Sequence, residues 1–318
     1  MQNWDAVTVV FGEVLVDDGA GVPAVGGAPF NVARHLAAFM APPLMITRIG
    51  DDRNGQAVRA EFERFVMAET GLQVDPIEET GRVVVERNAP GKPEGRHLTI
   101  LPRQAYDFID PHAAVASLAA LGGQDAGTIY FGTLAQREER SRQALEALFE
   151  ATAARRFLDL DLRPGQADEA IVTRALLAAD IVKVNEAQLQ ALFQWYFQIG
   201  PDAAPLATEE VHAACRALID RFALDALIVT LGHRGSVYFG ADGSLIANRD
   251  NPAPRFVIDT AGAGDAFAAI FLLGRQRGWP LELTLARANE FAGAICAVTG
   301  AVPRDINFYD KWAARFAL

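Results

Sequence analysis

The chain is expected to be an α/β protein, a mostly parallel β-sheet with helices on both faces. Two observations predict it. Short apolar strand-like runs alternate with helix-period segments along the 318 residues, which is the pattern of a parallel sheet covered by crossover helices. Polar or glycine-containing positions then fall at the ends of those runs, at Asp161, Asn185, Gly232 and the loop opening at Asp259, where sheets of this kind bind their ligands. A third observation, one turn-rich interruption of the alternation, predicts a small sheet outside the core.

The elements follow in order. A strand is expected over 4–11, beginning almost at the first residue, so no signal peptide precedes the fold. Gly26-Gly27 permits a tight turn into a helix. Pro29 suits its first turn, and Phe30, Ala33, Leu36 and Ala37 form its apolar face. A strand over 44–49 leads to a helix over 56–69 that Gly71 could end. The runs 82–87 and 96–101 flank the turn-rich 88–95 and read as a hairpin. With 12–25 it would build the small sheet; the alternative is an edge hairpin of the main sheet. Strand and helix then alternate: 128–131 and 141–153, 157–160 and 168–178, 181–184 and 186–197, and a further helix before 226–230. A surface loop is expected over 198–205. Phe256-Val257-Ile258 is strand-like, and 266–273 is apolar on all sides, as in a buried helix.

Composition narrows the function classes. Hydrophobic residues make up 51% of the chain, enough for a sizeable core. The net charge of -11 argues against a general nucleic-acid binder, which needs a basic footprint. It leaves ATP open, because backbone amides and a divalent cation can offset phosphate charge. The two cysteines, Cys215 and Cys296, lie in apolar helical stretches and suit core positions in a reducing cytosol. No run approaches a membrane span, so a soluble cytoplasmic protein is the default expectation.

Asp259-Thr260-Ala261-Gly262-Ala263-Gly264-Asp265 carries the chemistry. Gly262 and Gly264 allow close backbone approach and positive φ. Free amides at a helix start, aided by the helix dipole, favour phosphate or developing negative charge. Asp265 at the same end could take a proton from an attacking hydroxyl. One short G-x-G-D is equally compatible with an ordinary turn. Gly26-Gly27-Ala28-Pro29-Phe30-Asn31 places in a helical first turn a side chain with both donor and acceptor groups, Asn31. Alone, this too could be plain helix-start chemistry.

Together these segments resemble the two signatures of the ribokinase-like (PfkB) family of sugar kinases. The likeness extends over nearly the whole chain: Gly12-Glu13-Val14-Leu15-Val16-Asp17, Ile49-Gly50-Asp51-Asp52-Arg53-Asn54-Gly55, Asp159-Leu160-Asp161-Leu162-Arg163-Pro164, Lys183-Val184-Asn185-Glu186 and Thr230-Leu231-Gly232-His233-Arg234-Gly235 are similar to further family segments, in order. The resemblance implies a ribokinase-like three-layer α/β/α sandwich with a core of 1–11, 30–74 and 103–318. A β lid of 12–29 and 75–102 would cover the sugar, and in relatives it often forms a homodimer interface. It implies ATP and Mg2+ as cofactors, with K+ a further candidate held by backbone carbonyls around the Asp259 loop and near Gly300-Ala301. Asp265 matches the catalytic base. Ala261, Gly262, Ala263 and Gly264 match the anion hole for the γ-phosphate, and Asn185 a polar residue near the phosphates and the metal's water. Gly232, Thr230 and Asn289 match the nucleotide side; Asp17, Gly27 and Asn31 match contacts to sugar hydroxyls, and Arg163 is an added candidate.

Two departures stand out. The family's N-x-x-E becomes Asn185 followed by Gln188, and Asp161 replaces an Asn. A neutral amide organises metal-bound water less strongly than a carboxylate. Glu186 could substitute but points elsewhere on the helix. The added charge at Asp161 weighs against a strongly anionic acceptor. The glycine-rich start and Tyr130-Phe131-Gly132-Thr133-Leu134-Ala135 look most like fructokinases, which implies fructose phosphorylation at the 6-hydroxyl. The alternatives are 2-keto-3-deoxygluconate kinase, ribokinase, and a non-catalytic sugar- or nucleotide-sensing protein of the same fold.

Overall fold

The structure is a computed structural model describing residues 6–17, 24–87, 96–123, 125–163, 165–199, 208–249 and 256–318. The expected start of the first strand at 4–5, the hairpin tip at 88–95 and the 200–205 part of the surface loop lie outside them.

The strands are β1 Val7–Phe11, β2 Leu15–Asp17, β3 Ala24–Gly26, β4 Leu44–Gly50, β5 Leu72–Asp75, β6 Val83–Arg87, β7 Arg96–Ile100, β8 Ala126–Phe131, β9 Arg155–Asp159, β10 Ile181–Asn185, β11 Ala226–Thr230, β12 Ser236–Gly240 and β13 Leu245–Asn248. The helices are α1 Ala28–Ala38, α2 Arg53–Arg64, α3 Pro111–Ser117, α4 Glu139–Ala151, α5 Glu169–Ala178, α6 Glu186–Phe197, α7 Thr208–Phe222, α8 Ala263–Gln276, α9 Leu281–Ile295 and α10 Asp310–Phe316.

Nine strands form one sheet in the order β13-β12-β11-β10-β9-β8-β1-β4-β5. From β5 to β11 every pairing is parallel, and β12 and β13 add antiparallel at one edge. Strand alternation sorts side chains into two cores. Val9, Phe11, Ile129, Phe131, Val182 and Val184 face the layer of α3 to α7. Val10, Tyr130 and Ile181 face the layer of α1, α2, α8, α9 and α10. The result is a three-layer α/β/α sandwich.

The hairpin β6–β7 and the pair β2–β3 stay outside the nine-stranded sheet. They are joined through Val16, whose N–H donates to the Gly81 carbonyl at 2.7 Å and which bridges to Arg82. The edge-hairpin alternative is therefore not what the chain adopts.

Two sequence expectations need correction. Helix α2 ends at Arg64, well before Gly71. Val66 takes φ 52°, its N–H returns to the Glu63 carbonyl and that of Met67 to Phe62, a Schellman closure built without glycine. Phe256-Val257-Ile258 forms no strand and is 77%, 61% and 61% exposed. The Asp259 loop hangs instead from the end of α9, the N–H groups of Ile258 and Asp259 donating to the Cys296 carbonyl at 2.8 and 3.3 Å.

Candidate active site

A cleft of about 790 Å3 opens at the carboxyl ends of β9, β10 and β11, walled by the starts of α6 and α8 and by α9. Asp161, Arg163, Asn185, Thr230, Gly232, Ala263, Gly264, Asp265 and Asn289 line it. Residues spread over more than a hundred positions of sequence thus converge because parallel strands deliver their carboxyl ends to one side.

The start of α8 is built as an amide cradle. Gly262 caps it at φ 78°, and a Cβ there would run into Ala301, so both the conformation and the space demand glycine. Among the described residues the N–H groups of Gly262, Gly264 and Asp265 have no backbone partner, whereas Ala263 leans on the Thr260 carbonyl at 3.3 Å. Ala261 departs from expectation. Its N–H is spent on Asp259 Oδ1 at 3.0 Å, so it contributes an Asx turn that shapes the loop rather than a free donor.

Asp265 sits at this cradle and accepts from Asn31 Nδ2 at 2.7 Å, which ties the first turns of α1 and α8 together. Burial pushes its carboxyl up to about 6; the Asn31 donor opposes this, Asp159 and Asp161 add to it, and Lys183 opposes it. Beneath lies a buried polar floor. Lys183 Nζ donates to Asp159 Oδ1 at 2.7 Å and the Tyr130 hydroxyl to Asp159 Oδ2 at 3.1 Å. That Nζ comes within 3.2 Å of where a Cβ on Gly264 would stand. Burial raises the Asp159 carboxyl despite its cation.

The acceptor end is acidic. Glu13 is 2% exposed, its Oε2 has no hydrogen-bond partner among the described residues, and burial pushes it up to about 8, with Asp161 and Asp265 adding to the rise. Arg163 pairs with Asp161 at 2.6 Å, and Coulomb attraction from Glu13 and Asp265 reinforces that pair in holding the guanidinium charged.

The other expected residues are placed as follows. Gly27, at φ 102°, precedes α1, and a Cβ there would lie 2.6 Å from the Glu13 carbonyl. Asp17 ends β2 in the small outer sheet and does not line the cleft. Asn185 caps α6 in a reciprocal box: its Oδ1 accepts from Gln188 N at 2.9 Å, and Gln188 Oε1 accepts from Asn185 N at 2.7 Å. Gln188 Nε2 also donates to the Leu160 carbonyl at 2.5 Å, so this departure serves helix capping. Glu186 pairs with Arg234. Asn289 spends its amide protons on Ser236 and Asn248, at 2.9 and 3.1 Å. Thr230 Oγ1 donates to the Val184 carbonyl at 3.3 Å.

The sequence left Lys183, Asp159, Glu13 and Arg34 without roles. One signal was present, a Lys inside the otherwise apolar Ile181-Val182-Lys183-Val184, since a charge on a buried strand needs a partner. Cys296 is half-buried and lines the cleft, contrary to the core position expected; Cys215 is buried, and its thiol is pushed up to about 12. Among the described residues no group of His, Cys, Asp and Glu could hold a metal ion, and no helix is long and apolar enough to cross a membrane.

Comparison with known proteins agrees with this architecture. The chain is 30% identical over 278 residues to a fructokinase of Klebsiella pneumoniae, covering 83% of each chain. A fructokinase from Xylella fastidiosa with bound ATP matches the fold at TM-score 0.77 and 17% identity over the whole of both chains. A fructokinase from Vibrio cholerae, in a form with fructose, ADP and calcium, matches at TM-score 0.72 and 23% identity over 94% of this chain and 95% of that one. Residues 4–306 match the pfkB family of carbohydrate kinases. The chain belongs to that family and is a sugar kinase.

Proposed function

We propose that the protein transfers the γ-phosphoryl group of ATP to a neutral sugar, fructose first, with Asp265 as general base. The observation that carries this is the pairing at the start of α8 of a carboxylate raised to about 6 with N–H groups that have no backbone partner. Phosphoryl transfer needs positioning and charge stabilisation more than covalent help from the protein. In this reading the sugar hydroxyl donates its proton to Asp265 as it attacks, and the amides of Gly262 and Gly264 stabilise charge on the transferred group. Lys183 adds a fixed positive charge behind them. Asn185, Thr230, Gly232 and Asn289 line the nucleotide side, in keeping with the ATP held by the Xylella fructokinase.

The charges at the acceptor end select the substrate class. Asp161 and Asp265 stand beside Arg163, which Asp161 already engages, while Lys183 is engaged by Asp159 and burial keeps the Glu13 carboxyl protonated up to about 8. A carboxylated or phosphorylated acceptor would meet net negative charge there, whereas a polyol finds acceptors for its hydroxyls. This favours fructose or ribose over 2-keto-3-deoxygluconate, and the fructose bound in the Vibrio cholerae fructokinase supports the first. Gly27, Asn31 and Arg163 would contact it, and Asp17 would reach it only from above, as part of a lid formed by β2–β3 and β6–β7 closing over the sugar.

Among the described residues no acidic cluster could hold a metal ion, and Mg2+ would be held by the triphosphate oxygens, with Asn185 reaching it through water. The ion supplies charge neutralisation. K+ would sit among the carbonyls of the Asp259 loop and Gly300-Ala301. A coupled ATP assay over fructose, ribose, 2-keto-3-deoxygluconate and fructose 6-phosphate tests the acceptor. Turnover should be greatest on fructose; turnover on ribose or the keto acid without fructose overturns the assignment.

A further inference from the structure

Asn31 can aim its NH2 at Asp265 only if its amide is held the right way round, and a second side chain does this. Arg34 lies one turn further along α1 and is 4% exposed. Its Nη2 donates to Asn31 Oδ1 at 2.6 Å and to the Val25 carbonyl of β3 at 2.8 Å, while Nη1 donates to Glu61 Oε2 of α2 at 2.7 Å. A guanidinium has donors and no acceptor, so the end of Asn31 that faces it must be the oxygen. The NH2 end then has one direction left, towards Asp265 Oδ2 at 2.7 Å.

We propose that Arg34 is a positioning residue for the phosphoryl-transfer step: anchored by Glu61 and the β3 backbone, it fixes the Asn31 carboxamide so that its NH2 meets the Asp265 carboxylate. The inference rests on the reading of Asp265 as the base. It also links the base to the lid, since the same guanidinium holds the strand that leads into Gly26-Gly27.

The surroundings give the sign of the effect. Asp265 feels Asp159 and Lys183 from β9 and β10, Asp161, Glu13 and Arg163 from the acceptor end, and Tyr130 from β8. Arg34 feels Glu61 and Arg64 from α2, Tyr309, and its neighbour His35. Burial and two carboxyls, Asp159 and Asp161, push the Asp265 carboxyl up. The Asn31 donor is the largest influence pulling it down. Freeing the amide to rotate therefore favours the protonated, inactive base.

The test is the pH dependence of kcat/KM for Arg34→Lys, which keeps a cation for Glu61 and loses the fork that reaches Asn31 and Val25 together. The acid limb should rise by about one pH unit, a loss of about eightfold at pH 5.5 that shrinks to almost none at pH 8.5. In an Asn31→Ala background the same change should shift the limb no further. A loss of equal size at every pH, or an unmoved limb, overturns the inference, because a merely structural role lowers active protein without moving a titration. Should Arg34→Lys not fold, Glu61→Gln replaces it, with a smaller shift in the same direction expected and an unmoved limb overturning the proposal. Asp265→Asn separates the two readings. If it retains turnover, the base assignment falls and Arg34's role with it. If it is inactive while Arg34→Lys keeps the wild-type limb, only the positioning inference falls.

Discussion

Two largely buried regions of this protein, both touched by α1, treat polarity in opposite ways. The far end of α1 enters an aromatic cluster in which the Phe291 ring lies 5.4, 5.1 and 5.6 Å from those of His35, Phe39 and Trp312. Its one ionisable base, His35, is pushed down to about 3, first by burial and then by Arg34, and accordingly sits neutral against the Tyr309 hydroxyl at 2.8 Å. At the near end, burial instead surrounds ions. Asp159, Lys183, Asp161, Arg163 and Asp265 crowd the carboxyl ends of the strands beside the Glu13 carboxyl, one oxygen of which has no hydrogen-bond partner among the described residues. The first region is what packing alone would choose. The second is costly to fold and useful only if something binds there.

That contrast can be broken from either side. Phe291→Ala should cost the most, about 3–5 kcal/mol by denaturant melts, while kcat of the folded fraction stays near wild type. Lys183→Met should cost somewhat less than the roughly 3–5 kcal/mol typical of a broken buried pair, because Asp159 can relax by protonation. Adding Asp159→Asn should recover part of that stability and none of the activity. If Lys183→Met is neutral in both stability and kcat, the polar floor has no role.

Titration sharpens the same comparison. The Glu13 carboxyl is raised from 4.5 to about 8, so its contribution to stability is complete below 4.5 and is lost as pH rises through 8. Asp265 acts in the same sense, losing its contribution between 3.8 and about 6. His35 is lowered from 6.5 to about 3, so its contribution is complete above 6.5 and is lost as pH falls towards 3. The thermal midpoint should therefore fall as pH rises from about 6.5 to 8 and again as pH drops below about 4, and Glu13→Gln should flatten the first of these falls only. A fall between pH 6.5 and 8 that persists in Glu13→Gln would remove that carboxyl from the account. The smallest effect should come from Arg234→Ala, which breaks the exposed pair with Glu186 and should leave the melting curve almost where it was.

How much of this was legible in the sequence differs between the same regions. The alternation of strands and helices is a local signal, and α6 was expected at the very residues 186–197 where it forms. The two glycine-rich helix starts were legible because turn chemistry is local too. The polar floor was not, since Lys183 and Asp159 pair across neighbouring strands and Glu13 meets Asp161 only after the sheet is assembled. The end of α2 was missed because Val66, a β-branched residue, holds a conformation usually given to glycine. The fate of the Ala261 amide depends on an Asx turn two residues long, which spacing alone does not distinguish from a free donor.

The most direct test is single-turnover phosphorylation of fructose by wild type and Asp265→Asn, with sugar affinity measured for both by calorimetry. A proton-accepting carboxylate beside unpartnered amides predicts a rate lower by about 10²–10⁴-fold in the variant with the dissociation constant for the sugar within a few-fold of wild type. Equal rates in the two proteins would contradict it.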